Sequence, residues 1–253
     1  EGQSILNLPE RRMRKIRGRR ISMVMQDPKF SLNPVMTIGD QIVEAYRHGA
    51  ENAKAAGFDG VEIHGANGYL LDQFAKDGTN KRTDAYGGSI ENRAKLMLEV
   101  SKAVVGEAGG DRTGIRISPV TPANDVSDSN PQPLFDYIVD HLNALKLTYI
   151  HVIEGATGGP RDNAPFDYAS LRKRFKQAYI ANNGYDFALA EKVLEAGAAD
   201  LIAFGKPFIS NPDLVERLKA GAPLNEWDKA TFYGGGAKGY TDYPTLKATE
   251  AAE

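Results

Sequence analysis

Short apolar runs alternate with helix-like segments from residue 57 onward, and this alternation limits the fold more than any other feature. Five runs have the length and composition of buried strands: Gly60–His64, Gly114–Ser118, Tyr149–Ile153, Ala178–Ala181 and Leu201–Phe204. Strands that alternate with helices predict parallel βαβ units, and continuously apolar strands predict a sheet that is covered on both faces. The sequence therefore predicts an α/β fold with five parallel strands, which is too few for a closed barrel of eight.

Segments between these strands show apolar faces at helical spacing. The face before the third strand consists of Leu134, Tyr137, Ile138, His141, Leu142 and Leu145, and the face before the fifth consists of Phe187, Ala190, Val193 and Leu194. Because His141 shares an apolar face, we expect it to be a hydrogen-bonded residue of the core. We expect His48 to lie at the surface.

The composition excludes several classes of protein. The 253 residues include no cysteine, which rules out disulfides, thiolate catalysis and cysteine-based metal sites. The net charge of -2 gives no overall attraction for nucleic acid. No apolar stretch reaches the roughly 18 residues of a membrane span. The four histidines lack the spacing of metal ligands, so no metal site is expected. We see no secretory signal near Glu1 and expect a cytoplasmic protein.

Polar and small residues follow each predicted strand. Since the carboxyl ends of parallel strands share one edge of a sheet, we expect these residues to gather there. They are His64–Tyr69, Arg116 with Ser118, Glu154–Gly155, Asn182–Tyr185 and Gly205–Lys206. Glycines beside strand ends let backbone N–H groups approach a phosphate, and Lys206 adds a positive charge.

Common motifs of nucleotide-dependent and hydrolytic enzymes are absent or lie in the wrong context. Gly234, Gly236 and Gly239 match the spacing of a dinucleotide-binding loop, but they neither follow a strand nor open a helix. The sequence contains no Walker A motif, no H-E-x-x-H and no G-x-S-x-G.

Six motifs occur in order between about residues 46 and 246. They are Gly57–Phe74, Asn80–Arg93, Gly114–Pro119, Ala203–Leu214, Phe232–Gly236 and Gly239–Pro244. Together they resemble the old yellow enzyme family of FMN-dependent ene-reductases, whose fold is a parallel (β/α)8, or TIM, barrel. The resemblance implies that residues 46–253 are the C-terminal part of such a barrel, comprising its last five βα units.

The resemblance also implies a role for each candidate site residue. His64 and Asn67 would donate hydrogen bonds to a carbonyl or nitro oxygen and polarise an activated C=C bond, while Tyr69 would protonate the adjacent carbon. The implied cofactors are FMN and the reductant NAD(P)H, and the implied substrate is a small electrophilic alkene or nitro compound. Arg116 would lie against the flavin ring. Gly184, Gly205 and Lys206 would bind the FMN phosphate, and Asn183 is a further implied FMN-binding residue. Tyr233 would line the substrate side.

Each residue also has a plainer interpretation. Taken alone, His64 would be a structural residue at a strand end, and Arg116 would be half of an ion pair. Gly184 and Gly205 would be turn glycines, and Tyr233 would only contribute packing. The family usually has Arg where Lys206 stands, and Lys keeps the charge but loses the two-pronged contact to phosphate.

The first 45 residues carry a different pattern. Ile21–Met25 is a predicted strand, and the segments Arg20–Pro28 and Ser31–Ile42 resemble the Q-loop region of the ATP-binding subunits of peptide-type ABC importers. The resemblance implies a fragment over residues 1–45, not an independent domain, with Gln26 as the Q-loop glutamine. ATP hydrolysis also requires a P-loop, which is absent, so we expect none from this segment. The chain is interpreted as a chimera.

A barrel without its first strands leaves one sheet edge unpaired and apolar surface exposed. We therefore expect the isolated chain to fold poorly, to self-associate or to need a complementing half-barrel.

Three functions remain open: an FMN-dependent ene-reductase, intact or vestigial; a non-catalytic half-barrel; and an ABC ATP-binding fragment. The missing Walker A motif disfavours the third.

Overall fold

The computed structural model describes residues 8–16 and 32–247, so the predicted strand Ile21–Met25 and Gln26 lie outside the described residues. The chain divides into two compact units, residues 1–45 and 46–253. No helix within 8–16 and 32–247 is long and apolar enough to cross a membrane.

The described part of the first unit contains α1 (Glu10–Met13) and the beginning of α2 (Ile38–Ala55). The hydroxyl of Thr37 accepts a hydrogen bond from the backbone N–H of Asp40 at 3.1 Å and so caps α2. The side chain of Gln41 accepts from the N–H of Asn33 at 2.8 Å and donates to its carbonyl at 3.0 Å. These bonds fix the turn that precedes α2.

The second unit is built on a parallel five-stranded sheet in the order β1–β2–β3–β4–β5. The strands are β1 (Val61–Gly65), β2 (Thr113–Ile117), β3 (Tyr149–Ile153), β4 (Ala178–Asn182) and β5 (Leu201–Ala203). Every predicted strand is present, with each end within one residue of its predicted position, and all pairs are parallel. The predicted fold class is therefore confirmed.

Helices connect consecutive strands and continue after the last. They are α3 (Leu70–Ala75), α4 (Ile90–Ala108), α5 (Pro131–Ala144), α6 (Tyr168–Arg174), α7 (Phe187–Glu195), α8 (Lys206–Ser210) and α9 (Leu214–Ala220). Short 3-10 helices span Gly110–Arg112, Ala123–Asp125 and Lys229–Thr231. Side-chain caps mark several helix starts, since Ser89, Asp167 and Asp186 each accept an N–H from the first turn.

The core lies on one face of the sheet, where α4 packs on β1 and β2 and α5 packs on α4. Alternate strand residues point to this face, as a period of two requires. Its buried members include Ile63, Ile115, Ile150, Val152, Met97, Val100, Leu134, Ile138 and Leu142. The opposite face of the same strands is left to carry the polar residues of the candidate site.

The sheet is open at both sides: β1 and β5 each pair with one neighbour among the described strands. The β5 side exposes apolar surface, with Leu201 52% exposed and Phe187 and Leu194 of α7 at 42% and 41%. Of the predicted apolar face of α7, only Ala190 is buried. Apolar groups left in water at a sheet edge mark a surface where further elements would pack.

The expectation that His141 is a core residue was wrong. His141 is exposed, its Nδ1 lies 2.8 Å from the carbonyl oxygen of Tyr137, and its ring stacks on the Tyr137 ring at 4.1 Å. The buried face of α5 is centred one position away, on Leu134, Ile138 and Leu142, so it leaves His141 at its solvent border. His48 is exposed, as expected.

Candidate active site

His64 and Arg116 are direct neighbours across the β1–β2 pair, so both side chains project from the same face of the sheet. Burial lowers the pKa of His64, and the nearby Arg116 cation lowers it further, with a partial opposing effect from Glu62. The imidazole is therefore neutral at pH 7 and can donate one N–H.

Asn67 lies in a tight turn directly after β1. Its φ is 58° and that of Gly68 is 70°, so two consecutive residues adopt the left-handed region. The hydroxyl of Thr157 donates to Asn67 Oδ1 at 2.6 Å, and the side chain of Asn124 donates to the Asn67 carbonyl at 2.9 Å. With Oδ1 occupied, the Nδ2 group remains available as a donor to a ligand.

Tyr69 is the residue before α3 and presents an exposed ring beside His64. The centroids of the His64 and Tyr69 rings are 5.2 Å apart, with the planes tilted by 52°. The structure therefore brings the three predicted catalytic residues, His64, Asn67 and Tyr69, to one rim of the sheet within a single turn.

Arg116 lies half-buried near the carboxyl end of β2. Its Nη2 donates to Asn182 Oδ1 on β4 at 2.8 Å, while its Nε is buried and has no hydrogen-bond partner within the described part of the chain. Burial lowers the pKa of Arg116, and the Glu62 carboxylate partly offsets this effect. Among the described residues Arg116 is thus not half of a closed ion pair, and its Nε remains a donor for a further group.

A second polar layer lies below this rim, and the sequence analysis did not identify it. Glu62 Oε2 is 3.0 Å from His151 Nδ1, and burial together with the Glu62 charge raises the pKa of Tyr149 to about 12. Gly114 makes room for Tyr149, because a Cβ there would lie 2.2 Å from the ring. The signal in the sequence was the alternation within the strands, which places Glu62, Gly114 and Tyr149 on the face of His64.

The predicted phosphate-binding residues lie at the carboxyl ends of β4 and β5. Asn182 pairs with Ala203, so Gly184 and Gly205 follow at neighbouring strand ends. Gly184 has a φ of +67°, and a Cβ at Gly205 would meet open space. Lys206 is exposed, with its ammonium 5.1 Å from the centre of the Trp227 ring.

The side chain of Asn183 is used inside the fold. Its Nδ2 donates to the carbonyls of Glu154 at 2.7 Å and Ala156 at 2.9 Å, and its Oδ1 accepts from the N–H of Gly158 at 3.0 Å. This leaves the backbone of Asn183 as the part able to meet a ligand. Its side chain joins the loops after β3 and β4, a role that sequence spacing does not reveal.

Tyr233 is the predicted site residue that the structure does not bring to the rim. Its ring is 97% exposed, and its described ring contact is with Phe232 at 6.3 Å. A shallow cavity of about 240 Å³ is lined by Thr231, Phe232, Tyr233, Gly234, Gly235, Gly236 and Tyr240.

Comparison with known proteins shows the family to which this fold belongs. The sequence model of the NADH:flavin oxidoreductase / NADH oxidase family matches residues 26–225. The chain belongs to this family, and the resemblance to flavin-dependent oxidoreductases is confirmed.

Individual relatives agree with the family match. The chain is 49% identical over 210 residues to a putative 12-oxophytodienoate reductase 3 of Oryza sativa subsp. japonica. This match covers 81% of this chain and 55% of the relative. The chain is 47% identical over 204 residues to a probable flavin mononucleotide-dependent alkene reductase of Leishmania infantum, with the same two coverages. The chain thus spans about half the length of the curated relatives it matches.

Solved structures give the same result for the fold. Morphinone reductase in complex with tetrahydroNAD superposes with a TM-score of 0.77 at 46% identity, over 82% of this chain and 56% of that one. The five strands therefore correspond to part of a TIM barrel. The family match begins at residue 26, inside the segment interpreted as transporter-like, and the transporter interpretation gains no support from it.

Proposed function

We propose that the chain carries the catalytic half of an FMN-dependent NAD(P)H oxidoreductase that reduces activated C=C bonds in enones or nitro compounds. The observation that carries the proposal is the convergence of His64, Asn67 and Tyr69 on one rim of the sheet beside Arg116. The name of the Leishmania relative as an alkene reductase and the tetrahydroNAD in the morphinone reductase complex point in the same direction.

The residues at this rim fit FMN. A buried Arg116 Nε without a partner suits an anionic or carbonyl edge of a ring, and the guanidinium stays charged at neutral pH. At the far end, the space around Gly205 is open and can take a phosphate, while Gly184 has a positive φ and lies against the Arg161 side chain. Lys206 supplies positive charge there. When bound, FMN would supply the hydride for the reaction, after its own reduction by NAD(P)H.

The chain's own residues would bind and polarise the substrate. The neutral His64 N–H and the Asn67 Nδ2 group would donate to one carbonyl or nitro oxygen, which stabilises the negative charge that develops there. The Tyr69 hydroxyl would donate a proton to the neighbouring carbon, and the position of its exposed ring beside His64 supports this role. The size of the substrate would depend on the loops that surround this rim.

A non-catalytic half-barrel is the second candidate, and the exposed apolar groups at the β5 side favour it. On this view the chain would need a complementing half-barrel, or a second copy, to cover Leu201 and Phe187. The third candidate, an ATP-binding fragment, lacks a Walker A motif in the whole sequence. A cytoplasmic location remains the expectation for both remaining functions.

The interpretation of residues 1–45 as a foreign, transporter-type fragment joined to residues 46–253 is a separate proposal. Its support is the sequence around Gln26 and Ser31–Ile42. Amplification of source DNA across the codons for residues 10–60 would test it. A continuous product would show that the two segments are encoded together, and two unlinked loci would show that the junction arose by artefact.

An activity assay tests the proposed function. The full chain is incubated with FMN, NADPH or NADH and cyclohexenone, with and without the half of a barrel relative that the chain does not span. We expect turnover that falls about 100-fold or more in His64→Ala and Asn67→Ala, as for loss of a donor to a developing oxyanion. Full turnover in both variants would disprove these roles, and no turnover in either mixture would favour the non-catalytic half-barrel.

A further inference from the structure

A fully buried ion pair lies beneath the Asn67 turn. Asp72 and Lys76 are 0% and 1% exposed, and Lys76 Nζ is 3.1 Å from Asp72 Oδ2. Burial raises the pKa of Asp72 and lowers that of Lys76, and each partner opposes the effect on the other. Because a buried ion pair seldom adds stability over apolar residues of the same size, its presence calls for another explanation.

The pair is connected to the turn by backbone hydrogen bonds. The N–H of Gly68 donates to Asp72 Oδ2 at 2.9 Å, and the N–H of Asn67 donates to the hydroxyl of Ser118 at 2.8 Å. The Ser118 hydroxyl in turn donates to Asp72 Oδ2 at 3.2 Å. Lys76 Nζ donates to the Ser118 carbonyl at 2.7 Å and so ties the same group to the end of β2.

The turn has a conformation that needs such support. Asn67 and Gly68 are both left-handed, which is strained for a residue with a side chain. Gly68 is also wedged against the loop after β2, where a Cβ would lie 2.1 Å from the Ala123 carbonyl oxygen. Both turn amides point inward to Ser118 and Asp72, and this leaves the Asn67 side chain to point toward the rim.

We propose that Ser118 and Asp72, held in place by Lys76, are positioning residues that fix the Asn67–Gly68 turn and thereby aim the Asn67 amide alongside His64. A catalytic role for this arrangement rests on the proposed function, because that role requires the Asn67 side chain to bind a substrate oxygen. The arrangement itself is a property of the turn and can be measured without flavin or substrate.

A positioning role and a general structural role predict faster opening in different parts of the chain when the residue is truncated. If Ser118 only stabilised the fold, its truncation would speed up opening throughout the second unit. If Ser118 positions the turn, the faster exchange is concentrated at the Asn67 amide, which donates to the Ser118 hydroxyl. Ser101 provides a matched control, since it is also 0% exposed and its hydroxyl donates to the Met97 carbonyl within α4, away from the turn.

Hydrogen–deuterium exchange of the full chain, resolved to single amides by mass spectrometry, tests the proposal. In the wild-type chain we expect the Asn67 and Gly68 amides to exchange more slowly than neighbouring amides that face solvent. In Ser118→Ala we expect the Asn67 amide to exchange about tenfold faster or more, as loss of a buried acceptor implies. The β2 amides should keep their wild-type rates. Ser101→Ala should leave the Asn67 amide unchanged.

Several results would overturn the proposal. Unprotected Asn67 and Gly68 amides in the wild-type chain would do so, even if Ser118→Ala failed to fold. Equal acceleration of all amides in Ser118→Ala, or the same Asn67 effect in Ser101→Ala, would show a general structural role instead. Because exchange is read without FMN, failure of the proposed function leaves this result intact. Conversely, an active enzyme with an unprotected turn would refute only the positioning role.

Discussion

The hydroxyl of Thr157 donates a 2.6 Å hydrogen bond to the side-chain oxygen of Asn67, across a separation of 90 residues. This bond joins the loop after β3 to the turn after β1 and determines which end of the Asn67 amide is left for a ligand. The Thr121 hydroxyl lies 3.4 Å from Thr157 and donates to the Gly155 carbonyl at 2.7 Å, so the loop is itself anchored. A residue outside the recognised motif therefore contributes to the candidate oxygen-binding site.

Thr157→Val keeps the shape of the side chain and removes this donor. We expect turnover of an enone to fall about fivefold, because the Asn67 amide is free to rotate its oxygen toward the substrate and a bond worth about 1 kcal/mol is lost. Steady-state kinetics of the FMN-loaded chain measure this. Thr157→Ser retains the hydroxyl and should retain most of the activity; equal loss in both variants would contradict the account.

Tyr69→Phe removes the candidate proton donor and leaves the ring beside His64 in place. We expect re-oxidation of the reduced flavin by an enone to slow by about 100-fold or more, since general acid catalysis contributes at least that much. Reduction of the flavin by NAD(P)H should remain nearly unchanged. Stopped-flow measurement of the two half-reactions separates these effects, and similar slowing of both would rule out the assigned role.

The lowered pKa of His64 makes stability depend on pH in a definite direction. Its folded pKa lies below the value of about 6.5 expected for the unfolded chain, so the unfolded state binds more protons between the two values. The contribution of neutral His64 is therefore fully present above about pH 6.5 and is lost as the pH falls toward the folded pKa. Urea unfolding of the chain at a series of pH values measures this.

Two variants serve as comparisons in that series. The free energy of unfolding of His64→Gln should fall less on acidification than that of the wild type. His141→Gln replaces an exposed histidine and keeps His64, so it should follow the wild type. If His64→Gln showed the wild-type decline in full, His64 would not be responsible for it.

Gly114→Ala tests the packing of the second polar layer. A Cβ at this position would lie 2.2 Å from the Tyr149 ring, so the ring must move and we expect a destabilisation of about 1–3 kcal/mol. Gly106→Ala is the matched control. It lies in α4, with open space around a new Cβ, and should stabilise the chain by about 0.5–1 kcal/mol. Chemical denaturation compares the two, and a neutral Gly114→Ala would show that Tyr149 does not occupy this space.

The strands and the rim could be predicted from the sequence because both depend on local patterns. The apolar runs gave all five strands, and the residues directly after β1 gave His64, Asn67 and Tyr69. The long-range partners could not be predicted in this way. Thr157, Ser118 and Asp72 reach the Asn67 turn only through the fold, and residues of these types usually lie at the surface, so the sequence does not mark them as partners of a buried turn.

The sequence pattern also could not predict which apolar residues at the β5 side of the sheet are buried. Phe187, Val193 and Leu194 lie on one helix, as their spacing predicts, but Ala190 is the one residue of the predicted face that is buried among the described residues. Whether such a face is covered depends on the elements packed against it, and the spacing within the helix does not reveal them. His141 is a similar case within a helix. It directly precedes the buried Leu142 on α5 but lies at the solvent border, and the apolar spacing did not distinguish the two positions.

Retention of FMN is the measurement that tests the central claim most directly. The full chain is mixed with FMN, alone and with the complementing half-barrel, and passed through a desalting column before its flavin absorbance is read. We expect the wild type and the surface control Arg174→Gln to retain FMN, and Arg116→Gln to retain at least about tenfold less, because a buried charged donor is lost. A colourless wild-type protein in both mixtures, or an Arg116→Gln variant as yellow as the wild type, would contradict the account.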